Sequence, residues 1–439
     1  MPRFLSPNFP IRPNVFPFYY GWIAMALSIC GMLASAPGQT IGFSVFTDSL
    51  MAVSGLDRVQ LSTAYFIGTF VSSLFLKFVG RFYDAKGGRL LFLISGFGLA
   101  GMLLVFSSFG FFFSILKSLD ASNFLAVSLF IMSIGFLWVR FLGQGMLSLT
   151  SRNLIGKWFQ KDRGFVSAVS GLSVSIGFSL MPAIFLYLIN QHGWERSYQL
   201  ISISLILFVF IGWVFYRDNP EECGISIDSY GRIKRSHEQE KAKKEIQFNL
   251  KQAQQTLALW VVCLALALHA LVITAVSFHI VDIGKLAMLS KAEVVAIFIP
   301  IAIFSGLFDL IAGFLADRIP LKYVIALMMF GSCLGFSGII FLSQNLGYWC
   351  AVVGIGISNG CFSTLSIVSM PHYFGRQYLG ENSGYQLSCM VLGTSIGPIS
   401  FALSKYFFQS YNPALLGSVF IAFSILILSS KIEKPQEKS

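Results

Sequence analysis

The sequence predicts an all-α membrane protein whose twelve transmembrane helices form two pseudo-symmetric halves of six, and three observations carry that expectation. Only 12% of the 439 residues are charged, against 55% hydrophobic, with 45 phenylalanines and a mean hydropathy of +0.72. Soluble domains average about 25% charged, so this chain is built for lipid. Its length allows about a dozen helices of roughly 20 residues with short connections. One motif also occurs twice: GRFYDAKGGR, from Gly80 to Arg89, returns as GFLADRIPLK, from Gly313 to Lys322, each directly after a long apolar run.

The first helix is expected over 20–46, as an uncleaved span: the apolar run continues through Ile41, Phe43 and Phe46, and more spans follow. Tyr19, Tyr20 and Trp22 suit an interfacial belt at its inner end. Pro37 and Gly38 break this helix, and irregular backbone at membrane depth is tolerated only against protein or a watery cavity. Gln39 and Thr40 are therefore cavity candidates, with a plain packing kink as the alternative. The second helix, 60–79, delivers the first copy of the repeated motif. The third is expected over 90–116, with extended outer ends around 111–123, and the fourth over 123–149. Arg140, in RFLGQG, then lies about 15 Å from the inner end of its helix. A guanidinium at that depth costs on the order of 3 kcal/mol unless paired or wet, so it either meets substrate or braces neighbouring carbonyls. From Ser151, SRNLIGKWFQKDRGF reads as a basic, aromatic inner loop. The fifth helix, 164–189, carries Gly171, Ser173, Ser175 and Gly177 ahead of Pro182, small residues that permit close helix contact. The sixth, 198–216, closes the half.

From 217 to 256 the chain turns charged, with RIKRSHEQEKAKKE at its centre, and reads as a cytoplasmic linker between halves 1–216 and 257–439. Six further helices are expected over 257–283, 294–316, 324–342, 348–369, 383–406 and 413–430. The halves repeat in residues as well as in pattern. GMLSLTSRNLIGKWF from Gly145 aligns without a gap on GCFSTLSIVSMPHYF from Gly360, and the stretch from Gly171 to Pro182 is echoed by GTSIGP from Gly393. Of the 31 lysines and arginines, this topology puts Arg58, Lys117, Arg196, Lys285, Lys291 and Lys405 outside and Arg140 within a span. The remainder lie inside, so both termini are expected in the cytoplasm, of a bacterial inner membrane. The net charge of +11 is dispersed over short loops and the linker, which argues against nucleic acid as a partner. Seven cysteines without CxxC or His-Cys spacing read as small buried hydrophobes; no metal and no cofactor is expected.

In the repeated motif a glycine permits close backbone approach. Asp84 or Asp317 lies one turn later on the same face, where a neighbouring helix N-terminus can hold it. Lys86, Arg89, Arg318 and Lys322 follow, on the side where positive charge collects. The pattern resembles the signature loop of the major facilitator superfamily, found between its second and third helices and, in weaker form, between its eighth and ninth. Here Ala85 and Gly88 stand where that family often has bases. YYGW followed by PGQTIGFSVF resembles the opening of the bacterial monocarboxylate porter and oxalate/formate antiporter branch. RFLGQG is similar to the family's arginine-and-glycine motif of helix four. The resemblance implies the major facilitator fold and transport by alternating access, with Gly80, Asp84, Arg89, Gly313, Asp317 and Arg318 at the gating loops.

Few ionisable groups lie within the spans. Asp309 is two turns before Asp317, about 12 Å further into the bilayer on nearly the same face, and is the first proton-coupling candidate. His269, near mid-depth, is a second proton-coupling candidate and a cavity candidate, whereas His279, further out, reads as a packing histidine. Tyr65, Gln144, Asn359, Tyr385 and Gln386 complete the substrate-cavity set with Arg140. The sequence departs from the branch it resembles where that branch has a base in helix eight: Asp309 occupies the position. The first-helix lysine of the animal monocarboxylate carriers has Ile41 as its counterpart. The expected function is secondary active transport of a small organic solute, a carboxylate or related metabolite, coupled to protons, by a monomer in the bilayer. A larger or cationic metabolite, or an uncoupled lipid or solute facilitator, is the alternative. No nucleotide loop or nucleophile with a nearby base supports an enzyme.

Overall fold

The computed structural model describes residues 6–119, 123–227 and 247–435, and the regular elements among them are all helical. The first, α1 (Gly21–Ala34), is followed by the 3₁₀ turn Ala36–Gly38, the short segments Thr40–Phe43 and Ser44–Phe46, and a helix Thr47–Ser54. Together they make one broken span. Eleven more helices among the described residues are long and apolar enough to cross a membrane. In the first half these are α2 (Arg58–Lys86), α3 (Gly88–Ser107), α4 (Phe124–Trp158), α5 (Arg163–His192) and α6 (Trp194–Phe215). In the second they are α7 (Leu257–Leu286), α8 (Phe298–Arg318), α9 (Leu321–Ile340), α10 (Asn345–Phe374), α11 (Leu379–Phe408) and α12 (Asn412–Ser430). Large apolar side chains such as Phe75, Phe130, Ile299 and Phe420 stand exposed along them, the surface that lipid covers.

The chain forms two compact units, Met1–Trp158 with Ser173–Arg235 and Phe159–Leu172 with Ser236–Ser439, so that α5 begins in the second and ends in the first. In the first unit α2 packs on α4, α3 on α6, and α1 on the inner third of α4. In the second, α7 packs on α11, α8 on α10, and α9 on both α10 and α12. Glycine makes the closest of these contacts. Gly335 of α9 and Gly354 of α10 meet backbone to backbone, and neither has room for a side chain.

Several boundaries differ from those expected. The first motif copy is mostly helix: α2 starts on a capping box between Asp57 and Gln60 and runs to Lys86, turning only at Gly87 with φ +90°. Buried Val79, Gly80 and Tyr83 continue its packed stripe past the expected end, and that packing outweighs the charged residues beside them. Likewise α4 runs on through the supposed inner loop to Trp158, because Leu154, Ile155 and Trp158 are fully buried. Arg140 is therefore further from the inner end of its helix than its spacing from Ser151 implied. The third helix stops at Ser107, and Phe109–Leu119 is a separate helix after a tight turn at Ser108. Tyr19 and Tyr20 turn inward, donating to the Trp158 and Phe215 carbonyls, while Trp22 stays exposed. RIKRSHEQEKAKKE lies outside the described residues.

Candidate functional site

In the first unit the polar centre is Arg140, only 2% exposed. Its Nη1 donates to the Gly38 carbonyl and its Nε to the Thr69 hydroxyl, each at 3.1 Å, and the guanidinium carbon lies 5.0 Å from the centre of the Tyr65 ring. Among the described residues no carboxylate pairs with it. Local winding explains the approach. α4 widens into a π-helical stretch, Arg140–Leu147, and there Gly143 meets Gly38 of the broken first span backbone to backbone. Such π-helical stretches are frequent at functional sites. A small cavity beside the guanidinium is lined by Gln39, Phe43, Tyr65, Phe106, Phe136 and Arg140. Phe43 stacks on Tyr65 at 5.1 Å, and Phe136 meets both edge-on. Thr40 bonds Tyr65 at 2.8 Å, Gln39 donates to Ser35 and Ser148, and the buried side-chain oxygen of Gln144 has no partner among the described residues.

In the second unit Asp309, also 2% exposed, accepts from the Thr364 hydroxyl at 3.1 Å and is hydrogen-bonded by Ser363. No cation pairs with it among the described residues. Gly171 of α5 lies so close to the Asp309 carboxylate and Ser363 that a side chain there has no space. One turn earlier on α8, Ser305 accepts from the Asn359 amide at 3.3 Å, and the Asn359 oxygen lies 2.9 Å from His269 Nε2. Gln386 of α11 reaches the Ser366 carbonyl at 3.3 Å. Tyr385 lies apart from these groups, beside Trp260 and Gln254 at the start of α7. His279 bonds the Pro398 carbonyl and Tyr411.

The inner turns are built differently in the two motif copies. At the second, Asp317 accepts from the backbone N–H groups of Gly164 and Phe165 at 2.7 and 2.8 Å, holding the start of α5, and Gly313 touches Gly164. Arg318 lies 3.9 Å over the Phe314 ring. At the first, the acid on the start of α3 comes from elsewhere: Asp218 accepts from the Arg89 backbone N–H at 2.9 Å. Gly87 and Gly88 leave the space that its carboxylate fills. Burial pushes the Asp218 carboxyl up to about 6, against the Arg89 and Gly88 N–H groups, which pull it down. The Arg89 guanidinium donates to the Ser6, Phe9 and Trp213 carbonyls. Asp84 sits on α2, partly buried.

Sequence reasoning missed Thr69, Gly38, Thr364, Ser305 and Asp218 as partners. Two signals were present: Ser305 precedes Asp309 by one turn, and Gly38 sits in the helix break.

The sequence profile of the Major Facilitator Superfamily matches residues 121–398. The chain belongs to that superfamily. Its twelve helices therefore form a membrane transporter of the major facilitator fold, and solved structures agree on the fold. A proton:xylose symporter bound to 6-bromo-6-deoxy-D-glucose superposes with a TM-score of 0.66 at 15% identity, covering 94% of each chain. The E. coli fucose:proton symporter gives 0.66 at 13%, covering 95% of this chain and 100% of its own. The human organic anion transporter gives 0.60 at 13%, covering 93% and 99%. No curated protein matches the sequence.

Proposed function

We propose that this transporter moves a small organic solute, a carboxylate or a related metabolite, by alternating access and couples the movement to protons through Asp309. One observation carries the coupling: Asp309 is buried among hydroxyl groups, without a cation among the described residues, and pressed against Gly171 of α5. An unpaired buried charge is expensive, so protonated and ionised Asp309 favour different packings around α5, and proton binding shifts the balance between conformations. Arg140 supports an anionic solute, since a permanent positive charge beside an aromatic-walled cavity attracts a carboxylate. The resemblance of YYGW and PGQTIGFSVF to the monocarboxylate and oxalate/formate branch points the same way. Two of the fold neighbours are proton symporters of sugars and one transports organic anions. In this reading 1–216 and 257–439 are the moving halves, 217–256 is their cytoplasmic linker, and both termini face the cytoplasm of a bacterial inner membrane.

The test begins with thermal stabilisation of purified protein by carboxylates, amino acids and polyamines, because a bound ligand raises apparent stability by mass action. Stabilising solutes are then offered to reconstituted vesicles with and without a proton gradient. Accumulation that needs the gradient is expected. Equilibration that ignores it makes the protein an uncoupled facilitator.

A further inference from the structure

The polar groups of the second unit form a ladder between α8 and α10. Gly360 has no room for a side chain against the α8 backbone at Ser305 and Asp309, so α10 lies directly on α8 there. That contact sets Asn359 beside Ser305 and Thr364 beside Asp309. Ser305 and Asp309 are one turn apart, neighbours on the same face. His269 enters the ladder from α7 through Asn359 and is 2% exposed.

Hydrogen-bond accounting fixes which ring nitrogen carries the proton. Ser305 donates its hydroxyl hydrogen to the Ile301 carbonyl at 2.7 Å, so toward Asn359 it only accepts, and the Asn359 NH₂ must face it. The Asn359 oxygen then faces His269, and as an acceptor it requires hydrogen on Nε2. Neutral imidazole carries one hydrogen. Nδ1 is therefore a bare lone pair, and it is buried with no partner among the described residues. A buried polar atom left unpaired calls for an explanation. The aromatic neighbour, Phe362 at 4.8 Å between ring centres, has nothing to donate.

We infer that His269 Nδ1 is a solute-binding acceptor, which receives a hydrogen bond from a hydroxyl or amino group of the transported molecule. This inference rests on the transport reading and narrows it, because a bare carboxylate has no hydrogen to offer and would meet the lone pair with its own. The solute carries at least one donor. In the state recorded here Nδ1 is covered, so the contact forms in another state of the transport cycle, and pairing it favours that state over this one. Asn359 and Ser305 link the site to the turn of α8 that carries Asp309, so solute contact and protonation act on the same α8–α10 contact.

Nitrogen NMR of histidine-labelled protein in nanodiscs reads the tautomer directly. The chain has five histidines, and the His269 signals are assigned by their loss in His269→Gln. Hydrogen on Nε2 with a bare Nδ1 is expected; hydrogen on Nδ1 overturns the inference, whatever the transport assays give. The second arm compares lactate with propionate and glycolate with acetate, pairs in which only the hydroxylated member has a hydrogen to donate, by thermal stabilisation. The hydroxylated member of a pair is expected to bind at least about tenfold tighter, since a site built for a hydroxyl strongly rejects the analogue that lacks one. His269→Gln, whose amide oxygen still accepts, keeps part of that preference and His269→Phe loses it. An unchanged preference in His269→Phe sinks the assignment. Uptake independent of a proton gradient, with tautomer and preference as expected, removes the coupling and leaves this site standing.

Discussion

The two halves share an architecture but bury opposite charges at positions that do not correspond. The register that pairs Gly145 with Gly360 sets Arg140 against Ile355 and Gln144 against Asn359. The register that pairs Gly80 with Gly313 sets Leu76 against Asp309. The packing is conserved across this exchange: Leu76 fills the space over Gly145 as the Asp309 backbone fills the space over Gly360. Each charge is met by neutral partners, Arg140 by a carbonyl and a hydroxyl, Asp309 by hydroxyls. What differs is that a guanidinium keeps its charge at all physiological pH, whereas a carboxyl can lose it. One half holds a fixed charge and the other a switchable one, the division that the proposed anion binding and the proposed proton coupling call for.

The largest expected effect comes from removing the fixed charge. Arg140→Gln removes the charge proposed to hold the solute, a charge-assisted contact worth about 1.5–3 kcal/mol, so uptake falls by about 10- to 100-fold in vesicles. Arg140→Lys keeps the charge but cannot span Gly38 and Thr69 with a planar fork, and should recover only a small part. Normal transport by Arg140→Gln removes the arginine from the site and the comparison with it.

A smaller effect is expected at the inner turns, where Asp317 holds α5 but Asp218 holds α3. Asp317→Asn weakens a contact with a helix N-terminus worth about 1 kcal/mol, so exchange slows about fivefold while solute affinity stays near the wild-type value. Asp84→Asn is expected to act in the same sense. A large loss of affinity with normal exchange rates contradicts the gating role.

The smallest effect concerns Asp218. Burial raises its carboxyl from the ordinary value near 4 to about 6, so across that window the folded protein holds a proton that the unfolded chain has released. Its contribution to stability is therefore full at the acid end and is lost as pH rises toward 6. Asp218→Asn should flatten that slope, by about 2 °C in the apparent Tm of purified protein between pH 4 and 6. An unchanged slope assigns the pH response elsewhere.

The fold was legible because lipid forces long apolar runs and the halves repeat, and Arg140, Asp309 and His269 stood out as ionisable groups within those runs. Their partners were not legible. Thr69 and Gly38 are distant from Arg140 in sequence, and an ordinary threonine or glycine gives no sign of what it faces. Winding was equally silent: RFLGQG suggested close packing through its glycines but not a π-helical stretch. Charge also misled at the inner ends, where residues 80–86 and 151–158 are helical because buried stripes continue beneath the polar residues.

The most direct measurement is the pH dependence of net uptake by Asp309→Asn in reconstituted vesicles, set beside solute counterflow, which needs no net proton movement. An asparagine keeps the shape and can still accept from Thr364, but it cannot exchange a proton. Proton-driven uptake is expected to lose its pH dependence while counterflow continues near the wild-type rate. A mutant that keeps the wild-type pH dependence contradicts the assignment of Asp309 as the switchable charge.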